Sequence, residues 1–269
     1  MILGINDMVD PSISLVKDGK ILFYVEEERL NRIKHSHNIF PIRSIELALK
    51  KFNISINDLD CIAYNWNFNK YSNGHMASIF KDLNTKFNVD QLTKKWQSER
   101  LKTRNLTNFK KKLELNLRKK FKFSKLPPIK FFSHHYVHAL QSHLHSGFKK
   151  SLCITIDGSG EENCTVVWKI ENNKITKIKE INMPNSLGWY YAAFTEYLGF
   201  KAYDGEYKLM GLASYGKSNL VLEKKINKII KINNHSKEYS LNPKYIHYGV
   251  HSFSGRFTDS LVKLFSKKP

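Results

Sequence analysis

The chain has 269 residues, 41% of them hydrophobic and 25% charged, as expected of a soluble globular protein long enough to bury a sizeable core. No apolar run approaches the roughly 20 residues of a membrane span, and the first six residues lack the basic region and cleavage site of a signal peptide. The three cysteines fit reduced thiols better than disulfides. We therefore expect a cytoplasmic protein with no membrane partner.

Basic residues give the chain a formal net charge of +20, and many of them lie between residues 86 and 130, as in Lys110-Lys111-Lys112. This excess is compatible with a basic nucleic-acid-binding protein, with an anionic small substrate, or with lysine on solvated helix faces. Phe109 and Phe121 lie in the same segment at spacings compatible with a helix core. We favour solvated helices and keep nucleic-acid binding as an alternative.

The first part of the sequence predicts a meander of three strands. Asp18-Gly19 is a strong signal for a two-residue hairpin between the second strand and the third. The strands are predicted from short apolar stretches at residues 2–5, 12–16 and 21–25.

Helices and one further strand follow this meander. Pro41 suits the first position of a helix that continues to residue 51. Residues 61–64 read as a strand, and residues 76–123 favour helix because they contain neither proline nor glycine.

A strand, a helix and a second strand are predicted next. The helical pattern begins near Tyr136, and His134 and His138 lie one turn apart at its start. Two imidazoles at this spacing can bind one metal ion, although the same spacing also occurs in solvated surface pairs. Residues 152–156 form an unbroken apolar run, which predicts a buried strand.

The loop after that strand combines an acid with two glycines, in the order Asp157, Gly158, Ser159, Gly160. Glycines after a buried strand let backbone amides approach a phosphate, and the acid can hold a metal-bound water or a hydroxyl. The alternative is a tight turn, for which Asp-Gly is equally suited.

A second loop, at residues 203–216, has glycines around acids and a lysine. It predicts a phosphate- or nucleotide-contacting loop that opens a short helix, with Lys208 as a point charge beside Glu206 and Gly211. A surface loop with a salt bridge is the alternative. The remaining chain predicts a basic amphipathic helix, an irregular aromatic-rich stretch and a last helix, at residues 220–232, 239–248 and 257–265.

The pattern of the first strands recurs after residue 151. Three strands, an Asn172-Asn173 turn, Pro184 and a helix at residues 187–198 repeat the order of the opening segment. The repeat predicts an α/β protein with two lobes facing a cleft, in which ligands bind where strand ends and helix starts converge. The predicted domains are residues 1–150, with a helical insertion at about 76–125, and residues 151–269.

One set of segments follows in a fixed order along nearly the whole chain. It consists of Ile2-Leu3-Gly4-Ile5, Ser12 to Val16 with Asp18-Gly19, Glu27-Glu28-Arg29, Arg32, Lys34-His35, Phe40-Pro41, His134-His135, His138-Ala139, Ile156 to Glu161, Ser186-Leu187-Gly188, Thr195 to Phe200, Gly205-Glu206, Lys208 and Met210 to Gly216. As a set and in this order, these segments resemble the O-carbamoyltransferases of nodulation and antibiotic tailoring, the family of tobramycin carbamoyltransferase.

The resemblance implies an actin–hexokinase-like (ASKHA, ribonuclease-H-like) fold of duplicated lobes with mixed sheets, the second lobe incomplete. It also implies that ATP and carbamoyl phosphate give carbamoyl-adenylate, whose carbamoyl group passes to a hydroxyl of a small molecule such as a sugar or secondary metabolite. The implied metal is divalent, with iron as the expected ion, held by His134, His138 and a third acid.

Further roles follow from the same resemblance. Asp10 and Asp204 are the candidates for taking the proton of the acceptor hydroxyl. The loop from Asp157 to Gly160, with Lys208, is expected to contact the metal, the phosphate or the carbamoyl group, and Glu206 to meet the ribose.

In this family, the third metal ligand, most of the adenosine pocket and a YrdC-like domain come from later segments. We therefore expect a second polypeptide that supplies the C-terminal part, and a homo-oligomer is an open possibility. A non-catalytic binding or regulatory half-domain that needs a partner chain is the other alternative.

Overall fold

The computed structural model describes residues 1–87, 89–172, 174–236, 238–247 and 255–266. Its strands are β1 Ile2–Asn6, β2 Ser12–Lys17, β3 Lys20–Glu26, β4 Cys61–Tyr64, β5 Ile129–Phe131, β6 Lys150–Ile156, β7 Asn163–Glu171, β8 Lys174–Asn182, β9 Ile230–Asn233 and β10 Glu238–Leu241. Its α-helices are α1 Glu27–Asn31, α2 Ile42–Lys51, α3 Asn69–Ser72, α4 His75–Lys86, α5 Gln91–Thr103, α6 Leu106–Arg118, α7 His134–Ser146, α8 Leu187–Tyr197, α9 Glu206–Ala213, α10 Leu220–Ile226 and α11 Asp259–Phe265. Short 3-10 turns cover Lys34–Ser36 and Ile56–Asp58.

The chain forms two compact units, which are described separately. The first contains Met1–His75 and Lys102–Val137, and the second contains Met76–Leu101 and His138–Pro269. None of the helices among the described residues is both long enough and apolar enough to cross a membrane.

The first unit is built on a five-stranded mixed sheet in the order β3-β2-β1-β4-β5. β1 pairs antiparallel with β2 and parallel with β4. Asp18 and Gly19, between β2 and β3, have φ of 50° and 74°, as the predicted two-residue hairpin requires. Leu3 and Ile5 lie on one face of β1 and are buried in the core, whereas Ile2 on the opposite face is exposed.

Helix α2 packs its apolar stripe of Ile45, Ala48 and Leu49 into this core. Its start is capped by Glu27, a buried residue of α1 whose carboxylate accepts hydrogen bonds from the Arg43 and Ser44 amides. Pro41 was predicted at the first helical position; it precedes the helix instead, as the N-cap residue with ψ of 55°.

The second unit contains a three-stranded antiparallel sheet in the order β6-β7-β8 and a two-stranded hairpin of β9 and β10. One face of the larger sheet is buried through Val166, Trp168 and Ile170 of β7. The two meanders, β1-β2-β3 and β6-β7-β8, confirm the predicted α/β class with mixed sheets and repeated strands. Asn173 of the second predicted turn lies outside the described residues.

One local expectation was wrong. The segment predicted as one helix at residues 220–232 ends as α10 at Ile226, and the β-branched residues that follow form β9, which pairs with β10. The helical character predicted for residues 76–123 is confirmed, and the segment contains three helices, the last of which ends at Arg118. The helix predicted near Tyr136 is also confirmed and begins at His134.

Strand β6 was predicted to be buried, and half of it is not. Leu152, Ile154 and Ile156 are 65%, 56% and 56% exposed on one face of the sheet. Their neighbour Thr155, on the opposite face, is buried. An apolar run of this length has the composition of a two-sided buried strand, but in the described residues only one face of β6 is covered.

Candidate metal and transfer site

Helix α7 places two imidazoles one turn apart. His134 is its first residue, and the His134 ring packs 5.2 Å from the Trp66 ring, centroid to centroid. His138 follows one turn later, with half of its side chain exposed. His134 and His138 lie on the same continuous helix.

Asp157 directly follows the last residue of β6 and lies close to His138 of this helix. Its Oδ2 lies 3.6 Å from His138 Nε2. Taken together, His134, His138 and Asp157 offer one ligand atom each, all within 4.8 Å of one another. Two imidazoles and one carboxylate are the donor set of the facial triad that binds Fe(II) in non-haem enzymes. The residues present therefore fit a divalent metal ion.

The Asp157 loop is held by its own backbone. The Asp157 amide donates to the Cys164 carbonyl at 2.9 Å, and the Gly158 amide donates to Asp157 Oδ1 at 2.6 Å. The Gly160 amide donates to the Asn163 carbonyl at 2.7 Å. Because these amides already have protein acceptors, the predicted phosphate contacts of Gly158 and Gly160 stay predictions.

The start of α8 supports the loop from the other side. Ser186 caps this helix by accepting from the Trp189 amide at 3.0 Å, and the Ser186 hydroxyl donates to the Asp157 carbonyl at 3.2 Å. A Cβ added to Gly188 would lie 2.6 Å from the carbonyl carbon of Asp157. Glycine at this position lets the helix approach the loop closely enough to fix the Asp157 backbone.

Arg100 of α5 reaches the same loop. It is buried, stacks over the Trp96 ring at 4.4 Å and donates to Ser159 Oγ at 3.4 Å. Arg100 lies in the basic segment whose charges were assigned to solvated helix faces, so this contact was not predicted. A buried guanidinium beside Ser159 makes the loop more favourable for negative charge.

The predicted loop at residues 203–216 forms α9 and the turn before it. The Glu206 carboxylate accepts from the Tyr203 amide at 2.8 Å and from the Gly205 amide at 3.2 Å, so it stabilises the turn that precedes α9. Lys208 and Gly211 are exposed on α9. Asp204 is half-buried in the turn, where its amide donates to the Lys201 carbonyl.

Asp10 lies in the first unit, in the loop between β1 and β2. It forms a cluster with Glu28 and His35, in which the ligand atoms also lie within 4.8 Å of one another. Nearby, burial raises the pKa of the Asp7 carboxyl above its ordinary value of 3.8, against the opposing charges of Lys112 and Arg104. The Tyr64 hydroxyl donates to Asp7.

The structure thus brings together three of the predicted residues. His134, His138 and Asp157 converge, Glu206 stabilises the turn before α9, and Lys208 is exposed on α9. Arg100, Gly188 and the contact of His35 with Asp10 were not anticipated as parts of the site. Ser186-Leu187-Gly188 and His35 were noted only as segments of resemblance, and the contacts made by these residues depend on tertiary structure.

The fold and this donor set define an α/β protein with repeated meanders and a histidine–carboxylate cluster at a strand end. The family model described as "Carbamoyltransferase N-terminus" matches residues 1–258, and the chain belongs to this family.

Two relatives and one solved structure give the extent of the similarity. Protein sll1178 of Synechocystis sp. is 37% identical over 226 residues, which are 82% of this chain and 35% of that protein. Nodulation protein NolNO of Sinorhizobium fredii is 34% identical over 210 residues, 78% of this chain and 28% of that protein. YeaZ from Pseudomonas aeruginosa matches with a TM-score of 0.35 and 12% identity, covering 68% of this chain and 67% of that one. The chain spans about a third of the length of the curated relatives it matches.

Proposed function

We propose that the chain is the N-terminal part of an O-carbamoyltransferase and contributes the transfer step. In this step, a carbamoyl group passes from carbamoyl-adenylate to a hydroxyl of a small molecule, such as a sugar or another hydroxylated metabolite. The observation that carries the proposal is the convergence of His134, His138 and Asp157 in a chain of this family. We place the reaction in the cytoplasm, where ATP and carbamoyl phosphate are available as co-substrates.

The reaction divides into activation and transfer. In activation, carbamoyl phosphate, ATP and water give carbamoyl-adenylate, diphosphate and phosphate. In transfer, the acceptor oxygen attacks the carbamoyl carbon, the bond from that carbon to the phosphate oxygen breaks, and AMP leaves. The acceptor proton passes to a base, for which Asp10 is our candidate, and then to solvent.

His134, His138 and Asp157 would hold the metal ion, which we propose to be Fe²⁺. When bound, it supplies a Lewis acid that favours negative charge developing on the leaving phosphate. The Gly158 amide orients the Asp157 carboxylate by donating to Oδ1. Arg100 and Ser159 add a buried positive charge and a hydroxyl at the same loop.

A second polypeptide is part of the proposal, because one face of β6 is apolar and exposed. In the repeat, Leu3 and Ile5 of β1 correspond to Ile154 and Ile156 of β6. The β1 residues are 0% and 3% exposed, whereas the β6 residues are each 56% exposed. β1 pairs with the parallel strand β4, and the apolar stripe of α2 lies in the same core. We propose that a polypeptide equivalent to the later part of the longer relatives covers β6 in the corresponding way.

This association has a matched pair of test variants. Ile154→Thr keeps a β-branched residue but removes apolar surface from the β6 face, and Ile232→Thr does the same on exposed β9. We expect Ile154→Thr to weaken binding of the downstream polypeptide about 10-fold, since covering such a side chain contributes about 1.5 kcal/mol. Equal binding by both variants in calorimetry would contradict the assignment. Self-association of the chain on its own, measured by light scattering, would indicate a homo-oligomer instead.

The transfer activity is tested with the chain and the downstream polypeptide of a longer relative. Carbamoyl-adenylate and a panel of hydroxylated sugars are supplied, and the carbamoylated product and AMP are measured by mass spectrometry. We expect product with wild type and a loss of at least 100-fold with His138→Ala. His145→Ala, exposed on the same helix, is the control and should retain activity. Tight ligand binding without product formation would favour the non-catalytic alternative.

Metal binding is tested without turnover. Co²⁺ titrated into the purified chain reports its ligands through its visible absorption. His138→Ala and Asp157→Ala should each lower the Co²⁺ affinity by 10-fold or more, while His145→Ala leaves it unchanged. If His138→Ala and wild type bind Co²⁺ equally, the proposed ligand set is wrong.

A further inference from the structure

Asp10 and His35 form a hydrogen-bonded pair in the first unit. His35 Nδ1 lies 2.7 Å from Asp10 Oδ1. An ionised carboxylate can only accept, so the imidazole nitrogen carries the proton in this contact. The His35 side chain is 20% exposed and the Asp10 side chain 47%, which leaves the carboxylate accessible to a small molecule.

Both residues are fixed by their backbones. Asp10 has φ of 52° and His35 has φ of 62°, in the left-handed region that side chains other than Asn and Asp seldom adopt. Asn6 Nδ2 donates to the Asp10 carbonyl at 3.0 Å, and the His35 amide donates to Glu28 Oε2 at 2.7 Å. Two loops are thus held in uncommon conformations that place one imidazole against one carboxylate.

The hydrogen bonds favour a dyad over a cation site. Glu28 offers a third ligand atom, but its Oε2 accepts from the His35 amide and its Oε1 pairs with Arg29 at 3.3 Å. The amide bond also lowers the pKa of Glu28. Glu28 therefore acts on the His35 backbone, and the imidazole acts on Asp10.

We infer that His35 is a positioning residue for Asp10, holding its carboxylate by one oxygen so that the other oxygen can face the acceptor hydroxyl. This inference rests on the proposed function, in which Asp10 takes the acceptor proton. The acceptor oxygen bonds to the carbamoyl carbon as its O–H bond breaks, the bond from that carbon to the phosphate oxygen breaks to release AMP, and the proton resides on Asp10 until it passes to solvent. Orientation matters here because a general base must point along the O–H bond to be effective.

Two variants separate the ring from the backbone. Gly and Asn both tolerate φ of 62°, so neither substitution strains the loop. His35→Gly removes the donor, whereas the side-chain amide of His35→Asn places a donor near the position of Nδ1. With the chain and its downstream polypeptide, we expect His35→Gly to lower kcat about 10- to 100-fold while KM stays within about twofold. We expect His35→Asn to restore most of kcat, and His235→Gly, an exposed control, to match wild type.

A spectroscopic test of the contact between Asp10 and His35 does not require enzymatic activity. In the ¹⁵N-labelled chain, Asp10→Gly should change the ring nitrogen shifts of His35 and leave those of His235 unchanged. Unchanged His35 shifts would overturn the dyad whatever the activity, and a wild-type kcat in His35→Gly would overturn the positioning role. Selective broadening of the His35 signals by micromolar Mn²⁺ would show a cation site instead. If wild type carbamoylates no acceptor while Asp10→Gly still shifts His35, the proposed function and the positioning role fail together, and the dyad is structural.

Discussion

Replacing Glu27 by Gln is expected to destabilise the first unit by about 3 kcal/mol. Glu27 is 1% exposed. Its Oε2 accepts from the Ser44 amide at 2.9 Å and the Ser44 hydroxyl at 2.6 Å, and its Oε1 accepts from the Arg43 amide at 3.3 Å. These amide and hydroxyl groups belong to the first turn of α2, and the apolar face of this helix packs in the core.

The magnitude follows from three effects of losing the charge. Hydrogen bonds to a charged group contribute about 1.5–3 kcal/mol each, against about 0.5–1.5 for neutral ones. The amide nitrogen of Gln must also face a donor of α2, and a buried donor left unsatisfied costs about 1–3 kcal/mol. Loss of the negative charge at the helix start adds about 0.5 kcal/mol. Allowing for partial rearrangement of the side chain, the sum is about 3 kcal/mol.

Urea unfolding and native-state hydrogen exchange of the α2 amides measure this effect. Glu46→Gln is the control, because Glu46 lies on the same helix in a half-exposed pair with Lys120 at 3.2 Å and should cost less than about 0.5 kcal/mol. The α2 amides should exchange faster in Glu27→Gln and at the wild-type rate in Glu46→Gln. Should the two variants unfold at the same urea concentration, the capping argument would be refuted.

Three further predictions concern burial. Because burial raises the pKa of the Asp7 carboxyl above 3.8, the folded state binds its proton more tightly than the unfolded state does. The free energy of unfolding therefore falls as the pH rises from 3.8 through the pKa of the folded state. Asp7→Asn should raise the urea midpoint at pH 7, and this gain should disappear below pH 4. Gly188→Ala should lower the free energy of unfolding by about 2 kcal/mol and weaken Co²⁺ binding by displacing Asp157. A Cβ added to Gly211 on α9 would meet open space, so Gly211→Ala should leave the protein as stable in urea or slightly more stable. Burial also raises the pKa of the Cys164 thiol, so iodoacetamide should label it only after unfolding, and rapid labelling of the native chain would contradict its placement.

Local pattern was enough to predict most elements of the fold. The hairpin at Asp18-Gly19 depends on two residues that accept positive φ, and the meanders depend on apolar runs separated by turn residues. The helical spacing of His134 and His138 is likewise a property of the chain itself. Where local preference was ambiguous, as at β9, pairing with β10 decided between helix and strand.

The sequence by itself therefore determined the order and class of the elements, because these depend on residues within a few positions of one another. Only the tertiary structure decided which face of β6 is covered, that Arg100 reaches Ser159, and that His35 turns its Nδ1 toward Asp10. Each of these depends on groups far apart along the chain. Their approach is set by packing and by backbone conformation in the left-handed region, and neither leaves a periodic signal in the sequence.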